Sequence, residues 1–210
     1  MKKILLLFVC LFVCWALFAQ QRIKVACVGN SITYGTGLAD RATQSYPVQL
    51  QKLLGEHYEV ENFGKPGATL LNQGHRPYTR QEEYRKALDF AGDIVVIHLG
   101  INDTDPRDWP NYRDSFVTDY LNLMDTFRKA NPDVRIIIAR MTPIADRHNR
   151  FLSGTRDWHG EMQTAIETVA HYAGVQLIDF REPLYPYPFL LPDAVHPTAE
   201  GAAIMAKTVY

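Results

Sequence analysis

The segments Ile94–Leu99, "IVVIHL", and Arg135–Ala139, "RIIIA", are apolar at almost every position rather than at every second one. A strand with one wet face alternates. A strand covered on both faces does not, and helices cover both faces of a sheet mainly when its strands run parallel. These segments lie in strands predicted at Asp93–Leu99 and Val134–Ala139, and similar short β-rich runs occur at Ile23–Val28, Tyr58–Phe63 and Val175–Ile178. Between them the spacing turns helical. Phe116, Tyr120, Leu123, Met124 and Phe127 step by three and four, which draws one apolar face on a helix from about Asn111 to Ala130. The same reading holds for about Ser45–Leu54 and for about Asp157–Tyr172, where Gly174 is placed to stop the helix. This βαβαβα order predicts an α/β chain folded as a three-layer α/β/α sandwich.

With 210 residues, 47% hydrophobic and 21% charged, the chain has the make-up of one globular domain. The first twenty residues stand apart. Lys2 and Lys3 precede an apolar run from Ile4 to Phe18, and small Ala19 leads into Gln20, Gln21 and Arg22. That order predicts a signal peptide at 1–20 and export to the periplasm or the medium, because the run falls short of the roughly 20 residues a spanning helix needs. No repeat, linker or change of composition follows, so 21–210 reads as one domain with no membrane contact of its own. Removing Lys2 and Lys3 takes the formal charge from −1 to −3, and no basic run is present, so nucleic acid is not an expected partner. Cys10 and Cys14 lie in the leader. Cys27, in a strand-like run, then has no internal partner and reads as buried packing.

In a parallel sheet, ligands bind beyond the carboxyl ends of the strands. Ser31 follows the first strand in "VGNSITYG", and the loop "GIND", Gly100–Asp103, follows the third. A serine hydroxyl becomes a nucleophile only beside a base, which in turn needs an orienting carboxylate. Of seven histidines, His196 stands out in "LLPDAVHPTAEGA". Asp193 precedes it by three residues in a proline-framed loop, so the carboxylate can meet Nδ1 and leave Nε2 for the serine. Attack creates an oxyanion, for which the Ser31 N–H, the Gly67 N–H and the Asn102 amide are candidate donors. Taken singly, each of these residues has an ordinary reading as a turn, a loop hydrogen bond or a cap.

Together, "VGNSITYG", "GKPGAT", "LGIND" and "DAVHP" resemble the four sequence blocks of the SGNH hydrolases, a branch of the GDSL esterases and lipases. The resemblance implies a flavodoxin-like fold with a five-stranded parallel sheet. It also implies ester hydrolysis without metal or other cofactor, through an acyl-enzyme on Ser31. Residue by residue it places catalysis on Ser31, Asp193 and His196 and the oxyanion hole on Ser31, Gly67 and Asn102. Gly64 is the alternative glycine, and Asn30 departs from the aspartate of the GDS form. "LGINDTDPRDWP" looks like bacterial carbohydrate esterases, including sialate O-acetylesterase-like proteins. The expected substrate is therefore an acetyl or short-acyl ester on carbohydrate, such as O-acetylated sialic acid or xylan. A lipid ester or thioester is the alternative within hydrolases, and a non-catalytic glycan-binding module the alternative outside them.

Loop aromatics that could stack on sugar are Trp109, Tyr112, Trp158, Tyr185, Tyr187 and Phe189, each with packing as the plainer role. Arg107, Arg147 and Arg150 could grip a carboxylate. His98 interrupts an apolar strand and reads as a hydrogen-bonded core histidine. His57, His75, His148, His159 and His171 have no partner in sequence. No histidines and carboxylates show metal-ligand spacing, and no GxGxxG follows the first strand, so neither a metal nor a dinucleotide is expected.

Overall fold

The computed structural model describes residues 22–145, 147 and 156–210. The expected signal peptide, with Cys10 and Cys14, lies outside them, as do His148 and Arg150. Five strands, β1 (Ile23–Gly29), β2 (Tyr58–Gly64), β3 (Ile94–His98), β4 (Arg135–Arg140) and β5 (Gln176–Asp179), form one sheet in the order β2-β1-β3-β4-β5. Every pairing is parallel. The near-continuous apolar character of β3 and β4 has the predicted cause: Val95, Val96, Ile97, Ile136, Ile137 and Ile138 are all buried, whichever face they point to.

The principal helices are α1 (Ser31–Tyr34), α2 (Tyr46–Leu54), α3 (Glu82–Phe90), α4 (Phe116–Ala130), α5 (Arg156–Ala173) and α6 (Ala199–Val209). Helix α2 packs against β2 and α6, while α3 packs on β1, β2 and α4, and α4 on α5. The sheet is thus covered on both sides. The stripe Phe116, Tyr120, Leu123, Met124 and Phe127 is the buried face of α4, as the spacing predicts. The helix predicted from Asn111 instead begins at Phe116. A short turn, Trp109–Tyr112, and a 3-10 turn, Arg113–Ser115, precede it, with Trp109 buried on Phe116. Trp158, predicted at a loop edge, lies within α5 and packs on the core.

Register places the site. Gly29 of β1 is level with Gly64 of β2 and with His98 of β3, so the loops carrying Ser31, Gly67 and Asn102 leave the sheet at one edge. Gly64 has no room for a side chain, because an added Cβ would stand 2.2 Å from the Tyr34 nitrogen of α1. The first turn of α1 is therefore pressed directly onto the strand ends.

Candidate active site

Ser31 opens α1 and is only 8% exposed. Asn30 caps this turn, its Oδ1 accepting from the Ile32 N–H at 3.0 Å. The asparagine thus performs the capping that an aspartate would, without a buried charge. Its buried Nδ2 has no hydrogen-bond partner among the described residues.

The second component arrives 165 residues later. His196 Nε2 stands 2.8 Å from Ser31 Oγ. On the far side of the ring, Nδ1 meets Asp193 Oδ2 at 2.6 Å. Asp193 Oδ1 also accepts from the N–H groups of His196 (2.7 Å) and Val195 (3.0 Å), which closes the Asp-x-x-His segment into a tight turn. Partial burial pushes the Asp193 carboxyl up. The hydrogen bonds from His196 and Val195 outweigh it and hold the group below the ordinary carboxylate range, so it is ionised at neutral pH. With Nδ1–H given to Asp193, Nε2 is left as the acceptor for the serine proton. The Ala145 N–H donates to Ala194 O, tying this loop to the segment after β4.

The candidate oxyanion donors stand on the neighbouring loops. Neither the Ser31 nor the Gly67 N–H has a partner among the described residues. Gly67 adopts φ +76°, a conformation that L side chains rarely take, and the Arg76 side chain packs where its Cβ would project. Gly64 is a different case: its N–H donates to Asn62 Oδ1 at 2.9 Å and is not free for a ligand. Asn102 Nδ2 donates to Ala68 O at 2.9 Å, which leaves its second N–H and joins the two loops.

Of the other side chains singled out in the sequence, Arg107, Arg147 and Trp109 are already engaged within the chain. Arg107 forms a two-pronged pair with Asp105, at 2.8 and 2.9 Å. Arg147 donates to the carbonyls of Pro188 and Leu191. Trp109 Nε1 donates to Glu161. Tyr185, Tyr187 and Phe189 are exposed, and Tyr112 is at the border of exposure. His98 is fully buried with Nε2 accepting from the Thr142 N–H, and His159 Nε2 meets Thr142 O.

Sequence reasoning misses a second aspartate–histidine pair. Buried Asp108 holds His75 by its N–H (2.9 Å) and by Nδ1 (2.6 Å), the same two-point grip that Asp193 has on His196. A separation of 33 residues hid it. His75, Asp105 and Asp108 bring one ligand atom each within 4.8 Å of the others. Arg107 already neutralises Asp105, and Asp108 is engaged with His75, so this cluster is a structural network as it stands.

The chain is also similar to known proteins. Residues 27–204 match the model of the GDSL-like Lipase/Acylhydrolase family. An acetylxylan esterase of Xylanibacter ruminicola is 33% identical over 211 residues, covering 90% of this chain and 43% of that protein, so the chain spans less than half of the relative's length. Among solved structures, an acetyl xylan esterase superposes with a TM-score of 0.68 at 22% identity, covering 89% of this chain and 98% of the other. A GDSL-like lipase from Bacteroides thetaiotaomicron gives a TM-score of 0.65 at 22% identity, with 92% and 90% covered.

Proposed function

The chain belongs to the GDSL-like lipase/acylhydrolase family of ester-hydrolysing enzymes, and from that premise we propose that it removes acetyl or other short acyl groups from carbohydrate. One observation carries this reading: a serine hydroxyl, an oriented imidazole and a carboxylate in line, beside N–H groups with no partner of their own. Ser31 Oγ attacks the ester carbonyl as Nε2 of His196 takes its proton, and Asp193 steadies the imidazolium that results. The N–H groups of Ser31 and Gly67 and the free Asn102 N–H receive the oxyanion. Collapse expels the alcohol, protonated by His196, and leaves an acyl-Ser31. Water, deprotonated by the same imidazole, then releases the acid and restores the serine.

The 33% identity to an acetylxylan esterase supports acetylated xylan as the first substrate to try. The leader-like first twenty residues support an exported enzyme, for which plant-wall or surface glycans are accessible esters. The test is acetate release from O-acetylated xylan, O-acetylated sialic acid and simple sugar acetates by the wild type and Ser31→Ala. Release by the wild type that vanishes in Ser31→Ala is the expected result. Equal rates for the two proteins defeat the mechanism, and activity that rises from acetyl to decanoyl esters replaces carbohydrate acetate with lipid.

A further inference from the structure

Asp103 follows Asn102 directly and, among the described residues, makes no hydrogen bond to Ser31, His196 or Asp193, yet it is completely buried. Its carboxylate is divided between two backbone amides of the loop that carries Gly67. Oδ2 accepts from the Leu70 N–H at 2.9 Å, and Oδ1 from the Leu71 N–H at 2.8 Å. With the bond from Asn102 to Ala68 O, the two oxyanion loops are joined at Ala68, Leu70 and Leu71. The same pattern continues outward. Asp119 takes both the N–H and the side-chain amide of Asn72, and Asp108 takes the N–H and Nδ1 of His75. Acidic side chains after β3 thus hold the backbone N–H groups of Leu70, Leu71, Asn72 and His75 after β2.

We propose that Asp103 is a positioning residue for the oxyanion site: by gripping Leu70 and Leu71 it fixes where the Gly67 N–H stands relative to the Asn102 amide. This rests on the esterase reading above, in which those two groups face one oxygen. Burying a carboxylate is costly, and burial pushes this one up to about 7 against the downward pull of the Leu71 and Leu70 amides, with Asp108 the charged neighbour that adds to the rise. Such a residue is a poor choice for mere packing. Its value is that the ionised form, which prevails in assays at pH 8, accepts at both oxygens, which an amide of the same shape cannot do. In Asp103→Asn one backbone N–H would face an NH2 group, and the loop would shift to part the two donors.

The experiment measures kcat and KM on p-nitrophenyl acetate for the wild type, Asp103→Asn, Asn102→Ala and the double variant. Displacement of one donor predicts a kcat lower by about 10- to 100-fold in Asp103→Asn, with KM changed by less than about threefold. The double variant should lose little more than Asn102→Ala, since both changes disable one oxyanion site. A kcat within about twofold of wild type, or losses that multiply in the double variant, overturns the proposal. Should Asp103→Asn fail to fold, amide exchange in the wild type decides: Leu70 and Leu71 must be protected like the amides of β1 and β3, and exchange at exposed-loop rates overturns it. A wild type inactive on every ester instead removes the esterase reading on which the proposal stands.

Discussion

His196 Nε2 lies 2.8 Å from Ser31 Oγ, while Asp193, on the other side of the ring, has a side chain 53% exposed. The base is therefore held from one side by the buried start of α1 and from the other by a carboxylate that water reaches. Water can replace part of what Asp193 does, but nothing replaces the imidazole. His196→Ala should lower kcat on p-nitrophenyl acetate by about 10³-fold or more, and Asp193→Ala by about 10- to 100-fold. Steady-state kinetics on the two variants check the order, and a larger loss in Asp193→Ala would show that the exposed carboxylate does more than orient.

Gly67 combines a free N–H with φ +76°, and its Cβ would stand 3.2 Å from Arg76 Nη1. Gly67→Ala must strain the backbone or turn the N–H aside, though Arg76 is exposed and can yield. A loss of about tenfold in kcat is expected, smaller than the 10²- to 10³-fold or so expected when Asn102→Ala deletes a donor outright. Thermal melts run beside the kinetics separate the two effects, since a drop in stability without a drop in kcat would place Gly67 outside the oxyanion site.

What could be read in the sequence was whatever a short stretch of chain decides. The unbroken apolar character of β3 and β4 revealed a sheet covered on both faces, and the three-and-four spacing of α4 showed its stripe at the true positions, because each signal lies within one short segment. Asp193 and His196 were legible as a pair because a three-residue turn joins them. Asp108 and His75 make the same pair from 33 residues apart, and the grip of Asp103 on Leu70 and Leu71 also spans loops of different strands, so neither leaves a local pattern. The start of α4 falls at Phe116 rather than at Asn111 because two short turns, Trp109–Tyr112 and Arg113–Ser115, stand where the spacing predicts a continuous helix, with Trp109 packed edge to face on Phe116.

Cys27 sits in β1 with no exposure, and burial pushes its thiol up to about 12, partly countered by a hydrogen bond with Tyr46. Reaction with a disulfide reagent needs the thiolate, so the folded chain should resist 5,5′-dithiobis(2-nitrobenzoate) at pH 8. In a chain with Cys10 and Cys14 replaced by serine, the expected result is no labelling in buffer and one thiol titrated in urea. Prompt labelling in buffer would mean that the sheet opens around β1.

Buried groups outside the catalytic relay, His98 and His159 together with Asp103, make stability depend on pH. Burial depresses His98 from 6.5 to about 3 and His159 from 6.5 to about 4. As the pH falls from about 6.5 toward 4 the unfolded chain protonates both imidazoles before the native protein does, so each costs stability as the pH falls. Asp103 runs the other way: raised from 3.8 to about 7, it keeps a proton in the native state that the unfolded chain has released, and it favours the fold as the pH falls. Two groups oppose one, so acidification through this window costs stability on balance. In His98→Gln the amide oxygen can still accept from the Thr142 N–H but takes up no proton. With one such imidazole removed, urea midpoints measured from pH 6.5 to 4 should fall less steeply for His98→Gln than for the wild type. Equal slopes for the two proteins would show that His98 is protonated within the native core.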